Sequence, residues 1–234
     1  MRMKRIILNS LGNSKIGKFE VYIDLLRCWT KRTNLISFEE KELWDEVILD
    51  SLVPYFMGFS IFQLDNLEVV DVGTGAGIPG IPIAVVKDGW KFHLIESVKK
   101  KVEFLSFVVK RLNLSNVVIH RARVEEFALE NRGKFDLVFE RAVASTPAMI
   151  EYCAPLLEIG GEAFIYGGVK NHLSLEKGKE KVEELGLRIE GVHRYELGEN
   201  DIKRRCIIHL RKTHETPSTY PRRVGMAVKK PIWR

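Results

Sequence analysis

Hydrophobic residues recur at helical spacing over the first sixty positions of the chain. A first helix is predicted from Lys18 onward, because an apolar residue returns every three or four positions: Phe19, Tyr22, Ile23, Leu26 and Trp29. A capping box, Ser37 with Glu40, predicts the start of a second helix. The apolar face of that helix carries Trp44, Val47, Ile48, Leu52 and Phe56. We therefore expect a helical N-terminal region that closes near Gly58.

After this region, short apolar runs alternate with amphipathic segments. The predicted strands cover residues 67–72, 91–95, 116–120, 135–139, 162–166, 188–195 and 203–210. The predicted helices cover 77–87, a segment from Ser97, a segment around 148–157 that ends at Gly160-Gly161, and 174–185. Such alternation is typical of an α/β fold with a mostly parallel sheet covered on both faces. The short link between the last two strands predicts that they pair antiparallel, which completes a seven-stranded sheet.

The composition is that of a soluble globular protein, with 45% hydrophobic and 29% charged residues in 234. No apolar run approaches the ~20 residues that span a bilayer, and the apolar stretch near Ile6 is shorter than the roughly 7–15 residues of a secretory signal. Three cysteines, Cys28, Cys153 and Cys206, lie far apart and form no C-x-x-C pair. They predict reduced thiols, no zinc site and a cytoplasmic protein that contacts no membrane.

Positive charge is concentrated at one end of the chain. Residues 203–234 hold ten Lys or Arg against one acid, Glu215, a net charge of +9 that leaves −3 on residues 1–202. A concentrated cationic segment is typical of binding to a polyanion. The Pro and aromatic residues of the tail disfavour a continuous amphipathic helix on a membrane, and so they favour RNA. The alternative is a tail that is merely solvated. We expect a helical extension (1–60), a core (61–212) and a basic tail (213–234) in one compact unit.

The stretch VVDVGTGAGIPGIPIAVV (69–86) places a glycine loop between a predicted strand and a predicted helix. From Gly75 it satisfies G-x-G-x-x-G, the dinucleotide pattern. From Asp71 it is Asp-x-Gly-x-Gly-x-Gly, with Gly73, Gly75 and Gly77, a pattern typical of an S-adenosylmethionine site. An extra carboxylate would oppose a pyrophosphate, whereas it favours an ammonium and a sulfonium. The sequence therefore favours S-adenosylmethionine over a nicotinamide cofactor.

An acid follows the second predicted strand. Glu96 lies 19 positions after Gly77, where a carboxylate can accept hydrogen bonds from both ribose hydroxyls. Both candidate cofactors contain such a ribose, so Glu96 indicates a nucleoside without choosing between them.

Two further segments follow strands three and four. In RARVEEF (121–127), Val124 is expected against the adenine face and Glu125 at its edge. Glu125 is equally compatible with a solvated helix N-terminus. In FERAVAS (139–145), Arg141 comes just past the fourth strand and faces the same crevice, although a plain surface arginine is the alternative.

These motifs together resemble a known family. VVDVGTGAGIPGIPIAVV, HLIESVKKKVEFL, RVEEF, FERAVAS and YPRRVGMAVKKPI, with WTKRTNLIS and ILDSL before them, are similar to the small-subunit ribosomal RNA guanine-N7 methyltransferase G family. The family is also called glucose-inhibited division protein B. The similarity runs from about Phe19 to the C-terminal residues.

The resemblance implies a class I methyltransferase (Rossmann-like) fold and methylation of N7 of a 16S rRNA guanine near the decoding centre. Carried over by position, the cofactor residues are Gly73, Ile78, Glu96, Val124, Glu125 and Arg141. Three positions depart from the family: Val47 replaces a His, Ala227 replaces the Pro of a Gly-x-Pro, and Gly167-Gly168 replaces a Lys-Gly. Lys170 is the candidate substitute for the missing lysine.

Guanine N7 has a free lone pair, so this reaction requires positioning and no general base. Arg141 is then the candidate to orient the guanine, through O6 or a phosphate, or the cofactor carboxylate. Phosphate contacts are expected from Arg222, Arg223, Lys229 and Lys230, with Tyr220 or Trp233 available to stack on a base. The partner would be 16S rRNA or the small ribosomal subunit, bound by a monomer. A small-molecule methyltransferase and a non-catalytic RNA-binding factor are the alternatives.

Overall fold

A computed structural model of the chain describes residues 10–33, 35–37, 42–141, 144–168, 175–198 and 202–233. One seven-stranded sheet runs through it. Its strands are β1 (Glu68–Val72), β2 (Lys91–Ile95), β3 (Val117–His120), β4 (Phe135–Arg141), β5 (Leu157–Gly168), β6 (Leu187–Leu197) and β7 (Lys203–Lys212). The strand order is β3-β2-β1-β4-β5-β7-β6.

Helices flank this sheet and precede it. They are α1 (Asn13–Thr33), α2 (Asp50–Met57), α3 (Gly80–Val86), α4 (Lys99–Arg111), α5 (Val124–Glu130), α6 (Thr146–Cys153), α7 (Lys179–Glu184) and α8 (Met226–Lys229). A π-helix, Trp44–Leu49, leads directly into α2, and a 3-10 turn spans Ser60–Gln63.

The predicted fold class is confirmed. Strands β3, β2, β1, β4 and β5 pair in parallel, and β7 pairs antiparallel with both β5 and β6. Because parallel strands share one direction, β1, β2, β3 and β4 all end at the same edge of the sheet. That edge contains the glycine loop, Glu96 and Arg141, which were predicted at the ends of strands.

Two boundaries that were predicted at glycines are wrong. Helix α3 begins at Gly80 and not at Gly77, because Gly77 has φ +94°, outside the helical region. Pro79 therefore precedes the helix. Gly160-Gly161 lies inside β5 and does not end a helix. Gly160 has φ +95°, and the register between β4 and β5 shifts beside it, as at a bulge.

Each face of the sheet buries its own apolar layer. The first face packs α1, the π-helix, α2, α3 and α4 against residues such as Val69, Leu94 and Phe139. The second packs α5, α6, α7 and the C-terminal segment against residues such as Val70 and Ile208. The helical N-terminal region is thus one cover of the sheet.

Candidate active site at the carboxyl ends of the central strands

The glycine loop between β1 and α3 turns through three left-handed residues. Gly73, Gly75 and Gly77 have φ of +61°, +60° and +94°, conformations that other residues rarely adopt. Ile78 is buried behind them. The loop lies at the carboxyl end of β1, as predicted.

Asp71 lies beneath this loop. Its Oδ2 accepts hydrogen bonds from Thr74 Oγ1 at 2.5 Å and from the Gly80 backbone N–H at 2.8 Å. Its Oδ1 is buried and has no hydrogen-bond partner within the described part of the chain. Burial raises the pKa of Asp71 to about 7, against the effect of these hydrogen bonds. The carboxyl group therefore joins Thr74, near the start of the loop, to Gly80, at its end. Its contact with a cofactor stays a prediction.

Glu96 lies beside the loop at the end of β2. Its Oε2 accepts a hydrogen bond from the Gly75 N–H at 3.1 Å, and its Oε1 accepts one from the Val98 N–H at 2.7 Å. The side chain is largely buried, and Lys101 Nζ lies 3.9 Å away. Glu96 and the loop thus form one hydrogen-bonded unit. The structure brings these two predicted elements together.

The segment after β3 is tied to the far end of the chain. Val124 is half-buried at the start of α5, and Glu125 is buried. Glu125 Oε1 accepts a hydrogen bond from the Gly225 N–H at 2.8 Å. The alternative of a solvated Glu125 is therefore wrong, because the C-terminal segment covers this carboxylate.

Arg141 is buried at the end of β4 with its guanidinium turned toward the π-helix. Its Nη2 lies 3.0 Å from Glu46 Oε2, and its Nη1 lies 2.9 Å from Asp50 Oδ2. Nη1 also donates to the Glu46 carbonyl oxygen at 2.5 Å. The alternative that Arg141 is an exposed surface residue is thus wrong. The guanidinium is committed to the N-terminal region, and direct contact with a guanine or a cofactor stays a prediction.

Glu46 is the centre of a charge network that the sequence patterns missed. Arg205 Nη2 lies 2.6 Å from Glu46 Oε2, and Lys203 Nζ lies 2.9 Å from Oε1. Tyr195 donates its hydroxyl to Asp50 Oδ1 at 2.5 Å. The only sequence signal was two acids, Glu46 and Asp50, among the apolar positions of a predicted helix.

Another buried carboxyl group, Glu140, lies next to Arg141 on the opposite face of β4. Cys153 Sγ donates to its Oε2 at 3.2 Å, and its Oε1 has no hydrogen-bond partner among the described residues. Burial raises the pKa of Glu140 to about 8, with a further contribution from Asp71. Burial and Glu140 raise the pKa of the Cys153 thiol well above its usual value. Cys153 therefore remains a protonated thiol at neutral pH.

Replacing Glu140 with Gln is expected to remove a pH-dependent loss of stability. The pKa is higher in the folded state, so folding binds the proton and the free energy of unfolding falls as pH rises toward 8. Linkage predicts that wild type loses about 2 to 3 kcal/mol more than Glu140→Gln between pH 6 and pH 9. Thermal unfolding of both proteins across this range measures the difference. Parallel pH profiles would contradict a neutral, buried Glu140.

The C-terminal segment, residues 213–233, packs on the second face of the sheet. Arg222 Nη2 forms a 2.5 Å ion pair with the buried Glu151 of α6, and Arg222 Nε donates to the same carboxylate at 2.9 Å. Arg132 donates to the Tyr220 and Thr216 carbonyl oxygens. Trp233 is buried against Gly178, where a Cβ would collide with the indole. The expected stacking of Trp233 on a base is therefore wrong for this conformation.

Much of the predicted positive charge is neutralised within the protein. Lys203, Arg205, Arg211 and Arg222 pair with acids, and Lys212 is buried with its ammonium donating to the Ala154 carbonyl oxygen at 2.7 Å. Burial lowers the pKa of Lys212 to about 7. Among the four predicted phosphate contacts, Arg223, Lys229 and Lys230 are exposed and have no acidic partner in the described ranges. Arg222 is engaged by Glu151.

Two predicted features fall outside the described residues, namely Lys170 and the Glu40 half of the capping box. Within the described ranges, no group of three His, Cys, Asp or Glu residues could hold a metal ion. None of the helices described is both long and apolar enough to cross a membrane.

Comparisons with known proteins converge on one family. The chain matches the GidB family model, described as rRNA small subunit methyltransferase G, over residues 15–202. It is 37% identical to the ribosomal RNA small subunit methyltransferase G of Acetivibrio thermocellus over 225 residues, which cover 95% of this chain and 91% of that relative. The relative from Desulfitobacterium hafniense is 37% identical over 234 residues, covering 99% of this chain and 95% of that protein.

Solved structures share the fold at low sequence identity. Precorrin-6y C5,15-methyltransferase from Geobacter metallireducens has a TM-score of 0.53 and 17% identity, over 77% of this chain and 92% of that one. A 16S rRNA (adenine(1408)-N(1))-methyltransferase from Catenulisporales acidiphilia has a TM-score of 0.54 and 12% identity, over 64% and 87%. This likeness shows a class I methyltransferase fold, in agreement with the prediction.

Proposed function

The chain belongs to the rRNA small subunit methyltransferase G family, and from that premise we propose that it methylates N7 of a guanine in 16S rRNA near the decoding centre, with S-adenosylmethionine as methyl donor. The geometry of the glycine loop supports this proposal. The loop, Asp71 and Glu96 lie at the carboxyl end of β1 and β2, the edge at which α/β sheets bind nucleosides.

The residues present fit S-adenosylmethionine. A Cβ added at Gly75 would meet only the Gly73 carbonyl oxygen, at 3.9 Å, so the loop leaves space on that side. Glu96 lies next to this space, with its carboxylate fixed by two backbone N–H groups. When bound, S-adenosylmethionine supplies an electrophilic methyl group. Glu96 would hold the ribose, and Val124 and Glu125 would hold the adenine. Glu96, together with Asp71 when it is ionised, would give the local charge that a sulfonium favours.

Positioning is the chemistry that this site supports. Guanine N7 attacks with a lone pair that is free at neutral pH, so no residue has to remove a proton first. The Cys153 thiol, which donates to Glu140 next to Arg141, is buried and protonated at neutral pH. Rate enhancement would come from the rigid loop and the buried Arg141 network, which hold the reacting groups in line and remove the entropy cost of their encounter.

The exposed part of the C-terminal segment supports an RNA substrate. Arg223, Lys229 and Lys230 lie on the segment that Gly225 fastens to Glu125, next to the predicted adenine loop. We expect them to contact phosphates of 16S rRNA or of the small subunit. We expect the enzyme to act as a monomer in the cytoplasm, where its substrate is found.

Methyl transfer to RNA tests the proposal directly. Purified protein, S-adenosylmethionine and small subunits from cells that lack this gene should yield 7-methylguanosine at one 16S rRNA position. Naked 16S rRNA is the parallel substrate, and its comparison with subunits identifies the assembly state that is recognised. If neither substrate gains 7-methylguanosine while the cofactor binds, a small-molecule methyltransferase replaces the proposal.

Loss of the Glu96 carboxylate should weaken cofactor binding. A hydrogen bond to a charged group is worth roughly 1.5–3 kcal/mol, so Glu96→Ala should raise the Kd for S-adenosylmethionine by about 10- to 150-fold. Isothermal titration calorimetry measures this, and NAD and NADP should give no binding. Glu103→Ala is the matched control, because it removes the same charge from an exposed position of α4. Equal binding by Glu96→Ala and wild type would disprove the ribose assignment.

A further inference from the structure

A hydrogen bond connects the N-terminal helix with the glycine loop. The Tyr22 hydroxyl of α1 donates to the Ala76 carbonyl oxygen at 2.7 Å, across 54 positions of sequence. Tyr22 is fully buried, on the same face of α1 as Phe19 and Leu26. The apolar pattern of α1 predicted only a packing face, so this hydroxyl is a polar contact that hydrophobic spacing could not identify.

Three backbone N–H groups of the loop donate to residues of β1 and β2 or to the residue that follows β2. The Thr74 N–H donates to the Ile95 carbonyl oxygen at 3.0 Å, and the Gly75 N–H donates to Glu96. The Gly80 N–H donates to Asp71. Tyr22 contacts the loop from the opposite side, from α1. The loop is therefore held by hydrogen bonds to β1 and the end of β2 on one side and to α1 on the other.

The two sides of the loop differ in the space that they leave. A Cβ added at Gly77 would lie 2.5 Å from Ile81 Cγ1, 3.0 Å from Leu105 Cδ2 and 3.3 Å from the Tyr22 hydroxyl, so this glycine permits close packing against α3, α4 and α1. At Gly75, by contrast, a Cβ would meet only a carbonyl oxygen 3.9 Å away. The loop thus has a closed side at Tyr22 and an open side at Gly75.

We propose that Tyr22 is a positioning residue of the cofactor site. Its hydroxyl fixes the Ala76 peptide and so holds the open side of the glycine loop, at Gly75, in one position. The inference rests on the proposed function, because it assigns the open side to S-adenosylmethionine. Tyr22 acts through the loop and contacts no reacting atom. The N-terminal helical region is therefore a component of the cofactor site as well as a cover for the sheet.

The physical basis is preorganisation. Ala76 is buried, and without Tyr22 its carbonyl oxygen would lose the side-chain donor that the structure provides. A loop that is no longer held in one position must be ordered by the cofactor, which raises the entropy cost of binding. Loss of the Tyr22 hydroxyl should therefore raise the Kd and the KM for S-adenosylmethionine more than the KM for RNA, because the RNA contacts are expected on another segment.

Tyr22→Phe tests the proposal, because it removes the hydroxyl and keeps the ring. Tyr166→Phe is the matched control: Tyr166 is also buried, and its hydroxyl also donates to a backbone carbonyl oxygen, that of Ser51, at 2.8 Å. Calorimetry should show the Kd for S-adenosylmethionine rising three- to tenfold in Tyr22→Phe and less than twofold in Tyr166→Phe. Methyl-transfer kinetics should show the KM for RNA unchanged in Tyr22→Phe.

Three outcomes separate the inference from its premise. If wild type fails to bind S-adenosylmethionine, the proposed function is wrong. If wild type binds and Tyr22→Phe binds within twofold of it, the positioning role of Tyr22 is wrong. If both Tyr→Phe variants lose affinity in proportion to their loss of melting temperature, the effect is general destabilisation, and the inference is overturned as well.

Discussion

Replacing Arg141 with alanine is expected to lower the free energy of unfolding by about 3 to 5 kcal/mol, because removing one partner of a buried ion pair leaves charge uncompensated. Among the residues that the structure describes, Asp50 Oδ2 would keep only Arg205 Nη1, at 3.7 Å, and Glu46 would keep Arg205 and Lys203. In a chain of this length the melting temperature should fall by roughly 10 °C. Thermal unfolding measures this change.

Two further variants serve as controls for Arg141→Ala. Arg204→Ala removes an exposed arginine whose nearest acid, Glu196, is 3.5 Å away, and should change the melting temperature by less than about 2 °C. Arg141→Lys should recover part of the stability, because one ammonium cannot reproduce the planar fork between Glu46 and Asp50. An Arg141→Ala protein as stable as wild type would contradict the network.

The same variant separates the two roles that Arg141 could have. Turnover should fall more than affinity for S-adenosylmethionine if Arg141 orients the target base. Adding Asp50→Asn to Arg141→Ala removes one orphaned charge and should restore part of the melting temperature. Turnover that recovers together with stability would identify Arg141 as a structural residue, whereas turnover that stays low would support contact with the substrate.

Reversing Arg223, Lys229 and Lys230 to glutamate is expected to weaken RNA binding by about 100-fold at 0.1 M salt, since each phosphate contact on single-stranded RNA contributes a log–log salt slope near −0.7. The slope should become flatter by about 2 units for three contacts. Affinity for S-adenosylmethionine should not change, because the three side chains are exposed and the contact of this segment with Glu125 is made by the Gly225 backbone N–H. Binding and methyl transfer measured over a salt series test both statements.

A matched triple variant controls for net charge. Lys110, Arg111 and Lys134 are exposed near the amino ends of β3 and β4, opposite the predicted site, and their reversal to glutamate changes the net charge equally. It should leave the salt slope near the wild-type value. If both triple variants lose the same affinity, the effect is overall charge, and the C-terminal segment is not the RNA contact.

Truncation before Thr216 is not equivalent to these reversals. It would also remove the Gly225 hydrogen bond to Glu125 and the Arg222 ion pair with Glu151. We therefore expect truncation to lower both stability and cofactor affinity. The tail is distant in sequence from the cofactor loops, and the hydrogen bond between Gly225 and Glu125 joins the two in the fold.

The sheet was predictable because its determinants are local. Buried parallel strands are short continuous apolar runs, and the predicted strands 67–72 and 91–95 end at the same residues as β1 and β2. The glycine loop and Glu96 were likewise identified by their places after strands. Where a glycine decided a boundary, as at Gly77 and Gly160, the sequence did not show which of several conformations it adopts.

Contacts between distant segments were not predictable from one sequence. Arg141 and Glu46 are 95 positions apart, and Arg222 and Glu151 are 71 apart. Counting charges along the chain treats Lys203, Arg205 and Arg222 as available for RNA, because their acidic partners come from other segments. The net charge of the tail therefore overstates the number of basic side chains that are available to contact RNA.

The burial of Trp233 also supplies an optical reporter. Of the four tryptophans in the chain, Trp29, Trp44 and Trp90 pack in the layer on the first face of the sheet, and Trp233 packs in the other. Replacing the first three with phenylalanine would leave an indole whose fluorescence comes from the C-terminal segment alone. Stopped-flow emission could then follow the engagement of RNA by this segment in real time, separately from methyl transfer.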